Sequence, residues 1–171
     1  MSKEDRRRWN EKHRAARDSS LGAVDPLLIE GVEHADLPAA ARVLDFACGR
    51  GRHALELARR GFAVSAWDVS EEGLEELASR ARELELTVAP RRVDLEALPA
   101  DSGMGFDLIC VVNFLDRRLP ELLGPRLAPG GKLLLCTFTD DAPGEHPSAR
   151  HRLRPGELQA GWPGYTSLHE V

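Results

Sequence analysis

The sequence predicts an α/β fold: a mostly parallel sheet with helices on both faces. Three observations predict it. From Ala41 onward, short apolar runs alternate with amphipathic segments, the pattern of repeated strand–helix units. The run Phe106–Val112 is almost continuously apolar, as expected of a strand covered on both faces. A glycine turn, Gly49-Arg50-Gly51, joins the first apolar run to a helical segment.

Each element has its own signal. The first twenty residues are charged and predicted helical. Asp25-Pro26 opens a second short helix with Leu27, Leu28, Ile29 and Val32 as its apolar face. Val43-Leu44-Asp45-Phe46 reads as the first strand. A helix follows from His53 to Arg60, with Arg59 and Arg60 at its negative end and Gly61 stopping it. Phe62–Trp67 is the second strand, ending at Asp68. Ser70 caps the next helix, Glu71 and Glu72 fill its first turn, and Leu74, Leu77, Ala78, Ala81 and Leu84 repeat at helical spacing. Leu86–Val93 is a weaker strand; Pro90 within it indicates a sheet edge. After the central strand at 106–112, Pro120 starts a helix carrying Leu122, Leu123 and Leu127. Pro129-Gly130-Gly131 turns the chain into Lys132–Phe138, expected to be another central strand. A polar loop spans 140–154, Pro155-Gly156-Glu157-Leu158 begins a short helix, and Tyr165–Val171 reads as a last strand. The sum is a three-layer, Rossmann-like sandwich with right-handed crossovers.

The chain has 171 residues, the size of one domain with one core. We divide it into a helical cap at 1–35 and the sheet-bearing core at 41–171. Apolar residues make up 42% and charged residues 30%, with a net charge of −5. That balance indicates a soluble globular protein and argues against a broad nucleic-acid-binding surface. No apolar run has the length of a membrane span, and Met1–Arg6 lacks the apolar stretch of a signal peptide, so a cytoplasmic location is expected. The three cysteines form no CxxC pair and no cluster of zinc spacing, so no metal is expected. Cys110 and Cys136 read as core residues. Cys48 lies in the glycine loop but has no activating partner nearby in sequence.

In open parallel sheets, ligands sit outside the carboxyl ends of the strands. Polar residues collect there: Asp45 near the end of the first strand, then Asp68, Asp94 and Asn113 after the next three. Gly49 and Gly51 allow tight turning and close backbone approach to a ligand. The helix beginning after them directs free N–H groups and a positive dipole end at an anion, and a carboxylate serves as well as a phosphate. Asp45, four residues before Gly49, adds a negative charge. A zwitterionic amino-acid group would use both features. Asp68 follows Gly49 by nineteen residues, near the roughly 20-residue spacing at which an acid meets ribose hydroxyls. Asp94 lies one strand further out, within reach of an adenine amino group. Taken singly, each acid also reads as a turn residue or helix cap. Their order and spacing together outline an amino acid, a ribose and an adenine.

With these residues in place, the sequence resembles the class I S-adenosylmethionine-dependent methyltransferases. Val43–His53 is similar to their first motif, Trp67-Asp68-Val69-Ser70 to the second, Asp94-Leu95-Glu96 to the adenine-side position, and Leu127–Leu133 to the turn into strand five. Within that superfamily the chain resembles the small bacterial tellurite-resistance (TehB-like) and thiopurine methyltransferase-like enzymes. Trp9-Asn10-Glu11-Lys12-His13 is similar to their N-terminal motif, in which a tryptophan and usually a tyrosine close over the cofactor; His13 stands at the tyrosine position. The resemblance implies S-adenosylmethionine as cofactor and S-adenosylhomocysteine as product. It implies contacts from Trp9, Ala47, His53 and Val69, with Asp45 near the methionine amine and Gly49 and Gly51 under the methionine. It also implies Asp68 on the ribose, Asp94 and Leu95 at the adenine, and Asn113 beside the transferred methyl. The superfamily usually ends in an antiparallel strand pair, whereas only Tyr165–Val171 is left here for it. Either the last antiparallel strand is absent, the sequence ends early, or a second copy fills the place, and an exposed sheet edge would favour a homodimer.

The implied reaction is methyl transfer to a small-molecule acceptor by in-line displacement. A thiol or a selenium or tellurium oxyanion would need little base catalysis, which suits a sequence in which no acid–base pair stands out. Positioning candidates are Asn113, Phe114 and Arg117, followed by Arg118. The basic loop His146, Arg150, His151, Arg152 and Arg154 is a candidate anion clamp, and equally a solvated face paired with surplus acids. Trp162 reads as packing. Two other readings stand beside this one. Gly49-x-Gly51-x-x-Ala54 fits a relaxed dinucleotide fingerprint of a nicotinamide enzyme, and a non-catalytic S-adenosylmethionine-binding or regulatory module would share the donor site.

Overall fold

A computed structural model describes residues 3–94, 98, 103–140 and 151–158. Five strands form one parallel sheet: β1 (Arg42–Phe46), β2 (Ala63–Asp68), β3 (Val88–Arg92), β4 (Phe106–Val112) and β5 (Leu127–Cys136). Their order is β3-β2-β1-β4-β5. The chain therefore builds outward from β1 in one direction and then returns to its other side with β4. The crevice between β1 and β4 is the switch point where such sheets bind ligands.

Alternation along β4 explains the layers. Leu108 and Cys110 pack on one face with Leu28, Val43, Leu57 and Leu77. Ile109 and Val111 pack on the other with Leu44, Phe46, Trp67 and Leu119. Helices α2 (Pro26–His34), α3 (Arg52–Arg59) and α4 (Glu71–Glu83) supply buried side chains to the first face. Helix α5 (Leu119–Leu123) supplies Leu119 and Leu123 to the second. Local chemistry sets the helix starts. Asp25 accepts from the Leu27 N–H, and Ser70 Oγ accepts from the Gly73 N–H, both N-caps. Helix α1 (Lys3–Ala15) has only His13 buried. It docks on α4 by polar contacts, with Arg14 and Arg17 both paired to Glu72.

The structure corrects the reading of the chain near β5. Leu127 is not helical. Helix α5 ends at Leu123, a 3-10 turn covers Gly124–Arg126, and β5 begins at Leu127, because Pro125 has no N–H with which to extend the helix. Pro129-Gly130-Gly131 lies inside β5 rather than before it, and the pairing with β4 shifts register between Phe106 and Leu108. A Cβ on Gly131 would come within 2.6 Å of the Phe106 carbonyl oxygen, so the irregular pairing needs a glycine. β5 is also not central among the described residues. It pairs only with β4, and most of its side chains are half-buried. Leu27 and Leu84, assigned to apolar helix faces, are exposed. Among the described residues β3 is an edge strand, with Pro90 on it, as the proline requires. The strand expected at Tyr165–Val171 lies outside the described residues. No helix among those described is long and apolar enough to cross a membrane.

Candidate active site

The loop after β1 is built from left-handed backbone. Ala47, Gly49 and Gly51 have φ of 59°, 56° and 81°. For Ala47, which carries a Cβ, that conformation costs about 1–2 kcal/mol, and strain of this kind is concentrated at functional sites. At Gly51 a side chain would overlap Leu77 of α4, so this glycine is required twice, by conformation and by contact. Gly51 caps α3 without a side-chain hydrogen bond, and the first turn of α3 contains no acid. Its leading N–H groups thus form a positive end beside the loop.

Asp68, at the end of β2, ties two turns together. Its Oδ2 accepts from the Gly49 N–H and its Oδ1 from the Ser70 N–H, both at 2.8 Å. Burial pushes its pKa up, opposed by these hydrogen bonds and by nearby His13. The Val69 backbone N–H also bonds this carboxylate, which still retains acceptor capacity for a ligand.

Asp45 lies beneath the loop at 1% exposure. It accepts from the Ala54 backbone, but Oδ2 is buried without a hydrogen-bond partner. Burial above all, with the charge on Asp68 acting in the same sense, raises its pKa to about 7. A cation close to Asp45 would relieve both effects. The positive helix end and the acid beneath it fit the two charges of a zwitterionic amino acid.

Above the loop is an open cleft of about 360 Å³. Ala47, Gly49, Asp68 and Val69 form its floor, and Asn113 and Phe114 one side. Trp9 and His13 of α1 close the other. A second, shallow recess adjoins it, sharing Ala47, Asp68, Val69 and Phe114 and adding Phe46, Trp67 and Val93. Its lining is aromatic and apolar. Asn113 reaches the cleft through a left-handed φ of 58° at the end of β4, where its N–H donates to the Cys136 carbonyl at 2.8 Å.

The predicted residues divide accordingly. Trp9, Ala47, Gly49, Asp68, Val69, Asn113 and Phe114 line the cleft together. Gly51 is at the helix start and Asp45 below. His53 does not line it, a correction to the contact expected there. The first turn of α3 directs His53 into the core, where its Nε2 accepts from the Asp25 N–H at 3.4 Å and burial lowers its pKa to about 4. Asp94 is half-buried immediately after Val93, the residue that lines the recess. Leu95 lies outside the described residues. Arg117 is not in the lining either. Its guanidinium grips Glu157 at 2.6 and 3.0 Å and donates to the Arg152 carbonyl. Arg118 pairs with Asp116 at 2.7 Å, and Arg152 is buried and donates to the Asp140 carbonyl. These arginines have structural partners, which favours the paired-face reading over an anion clamp. His151 and Arg154 flank Arg152 in the same segment. His146, Arg150 and Trp162 lie outside the described residues. Cys48, Cys110 and Cys136 are buried, and burial pushes all three thiols up.

Two contributors, Asn10 and Gly73, escaped the sequence reading. Asn10 Oδ1 accepts from the Ser70 hydroxyl at 2.8 Å, fastening α1 to the cap of α4. Ser70 also meets His13 Nδ1 at 3.0 Å. Gly73 lets α4 pass under the loop: a Cβ there would come within 2.6 Å of the Gly49 carbonyl oxygen and 2.7 Å of His13 Nδ1. The clue for Gly73 was a glycine in the first turn of a helix that otherwise favours side chains.

Comparison with known proteins agrees with this fold. Residues 43–124 match the family described as methyltransferase domain. The chain is 32% identical over 123 residues to a ubiquinone biosynthesis O-methyltransferase of Xanthomonas axonopodis pv. citri, covering 69% of this chain and 52% of that one. The crystal structure of TehB from Haemophilus influenzae superposes with a TM-score of 0.66 at 24% identity, over 84% of this chain and 51% of that one. The YcgJ protein of Bacillus subtilis gives 0.59 at 26% identity, over 67% and 52%. The chain thus spans about half the length of the curated relative it matches.

Proposed function

We propose that this chain, whose residues 43–124 match the methyltransferase domain family, is a class I methyltransferase that binds S-adenosylmethionine in the switch-point cleft and transfers its methyl group to a small molecule. The observation that carries the reading is the cleft itself. It joins a glycine loop at a helix start to Asp68, whose carboxylate is held 2.8 Å from the Gly49 N–H.

When bound, S-adenosylmethionine supplies a methyl group already activated by a cationic sulfur. The chain then has to bind, orient and exclude water. Asp45 and the α3 N-terminus take the amino-acid charges, Asp68 the ribose, and the Phe46–Trp67–Val93 recess the adenine, with Asp94 beside it. Asn113 and Phe114 face the place left for an acceptor. Trp9 and His13 cover the cleft from α1.

For the acceptor, a soft nucleophile such as a thiol or a selenium or tellurium oxyanion suits a site whose arginines are already paired. A phenolic hydroxyl is the second reading, favoured by the O-methyltransferase relative. Labelled donor offered with thiols, selenite, tellurite, catechols and small amines tests both. Transfer to one class selects it. Donor binding without transfer to any of them would leave a cofactor-binding module instead.

A further inference from the structure

We infer that His13 is an uncharged imidazole whose Nε2 lone pair accepts a hydrogen bond from the ammonium group of the methyl donor. The tautomer follows from counting hydrogens at Ser70. The Gly73 N–H donates to Ser70 Oγ at 3.2 Å. The single hydroxyl hydrogen of Ser70 is committed to Asn10 Oδ1 at 2.8 Å. That Asn10 oxygen is fixed as an acceptor, because the Glu72 backbone N–H also points to it, at 3.4 Å. His13 Nδ1 lies 3.0 Å from Ser70 Oγ, and with the hydroxyl hydrogen used elsewhere, Nδ1 must be the donor. The count makes Nδ1 a donor, and the burial of His13 disfavours a second, charging proton on Nε2; the neutral ring then carries a bare lone pair on Nε2.

That lone pair faces the cleft. His13 is part of the cleft wall, and a Cβ placed on Gly49 would stand 3.5 Å from Nε2. His13 is 8% exposed, and burial, with Lys12 and Arg50 nearby, lowers its pKa, while Asp68 and Glu76 act in the opposite sense. An acceptor beside Gly49 repels a carboxylate and selects an N–H donor. On the methyltransferase reading, the nearest N–H donor at the amino-acid end of the cofactor is its ammonium. The choice of partner rests on that reading; the tautomer does not. His13 in this form can only accept, which makes it a specificity-determining residue for the charged end of the donor.

Two measurements test this separately. Long-range proton–nitrogen correlation spectra of the free protein at pH 7.5 read the tautomer directly. The inference expects the hydrogen on Nδ1, and a hydrogen on Nε2 would overturn it. Calorimetry with S-adenosylhomocysteine and with 5′-methylthioadenosine, which lacks the amino-acid end, then reads the partner. His13→Asn keeps an N–H for Ser70 but has nothing at the Nε2 position, and should weaken S-adenosylhomocysteine about tenfold or more. It should leave 5′-methylthioadenosine unchanged. His13→Gln, with an amide at the Nε2 position, should recover most of the loss. Equal weakening of both ligands, or no weakening, overturns the ammonium assignment. No binding of either ligand by the unmodified protein overturns the methyltransferase reading instead.

Discussion

Asp45→Asn isolates the buried acid from everything else in the site. In the unliganded protein, burial lifts the Asp45 pKa from 3.8 to about 7. A raised carboxylate pKa means that the folded state holds its proton more tightly than the unfolded chain. The associated stability is complete below pH 3.8 and is lost as pH rises through about 7. The three-unit difference corresponds to roughly 4 kcal/mol, so Asp45→Asn should gain stability relative to the native protein across that interval, up to this limit. Ligand binding should show the reverse dependence. If the donor's ammonium requires ionised Asp45, the competent fraction is about 0.09 at pH 6 and about 0.76 at pH 7.5, by simple titration around 7. Affinity for S-adenosylhomocysteine should therefore rise about eightfold between those pH values, with about half a proton released per ligand at pH 7. Calorimetry in buffers of different ionisation enthalpy reads both quantities. Asp45→Asn should bind more weakly and lose the pH dependence. A flat profile in the native protein, or the same slope in the variant, would refute the assignment of the ammonium to Asp45.

Other perturbations follow from the same contacts. Gly73→Ala would force a methyl group against the Gly49 carbonyl oxygen; despite alanine's better helix propensity, it should destabilise by about 1–3 kcal/mol and weaken S-adenosylhomocysteine, as read by thermal melts and calorimetry. Arg50 and Glu76 form a buried pair at 2.6 and 2.7 Å, and Arg50 also donates to the Arg17 and Ser19 carbonyls. Arg80 still holds Glu76 at 2.8 Å when Arg50 is removed, so Arg50→Met should cost about 1–2 kcal/mol, a melting decrease of roughly 2–8 °C, and the double variant Arg50→Met/Glu76→Leu should recover about half. Arg117→Ala removes a half-exposed pair with Glu157. It should cost about 1 kcal/mol or less and leave donor affinity unchanged in the same titration.

The fold was legible because its strands and helices follow simple periodicities. The alternation of Leu108 and Cys110 with Ile109 and Val111, the capping residues Asp25 and Ser70, and Pro90 on the edge strand all act locally. So do the acids at the strand ends: of the cleft's lining, Gly49 and Asp68 were read from that spacing, whereas Ala47 and Val69 came only from the family resemblance. What failed depended on neighbours distant in sequence. His53 has the loop's sequence position, but the direction of the first turn of α3 carries it to Asp25. Arg117 looked available until Glu157, forty residues later, was placed against it. The start of β5 was missed because a Pro-Gly-Gly segment normally signals a turn, and only the adjacent Phe106 carbonyl shows why Gly131 sits in a strand. The contributions of Asn10 and Gly73 depend on how α1 and α4 meet the loop, which no single segment encodes.

The central claim is that the switch-point cleft binds the methyl donor. Titration of the native protein with S-adenosylhomocysteine, followed by NADH as competitor, tests it most directly. The structure predicts one-to-one binding that NADH leaves undisturbed. An absence of binding heat with S-adenosylhomocysteine, or its displacement by NADH, would contradict the account.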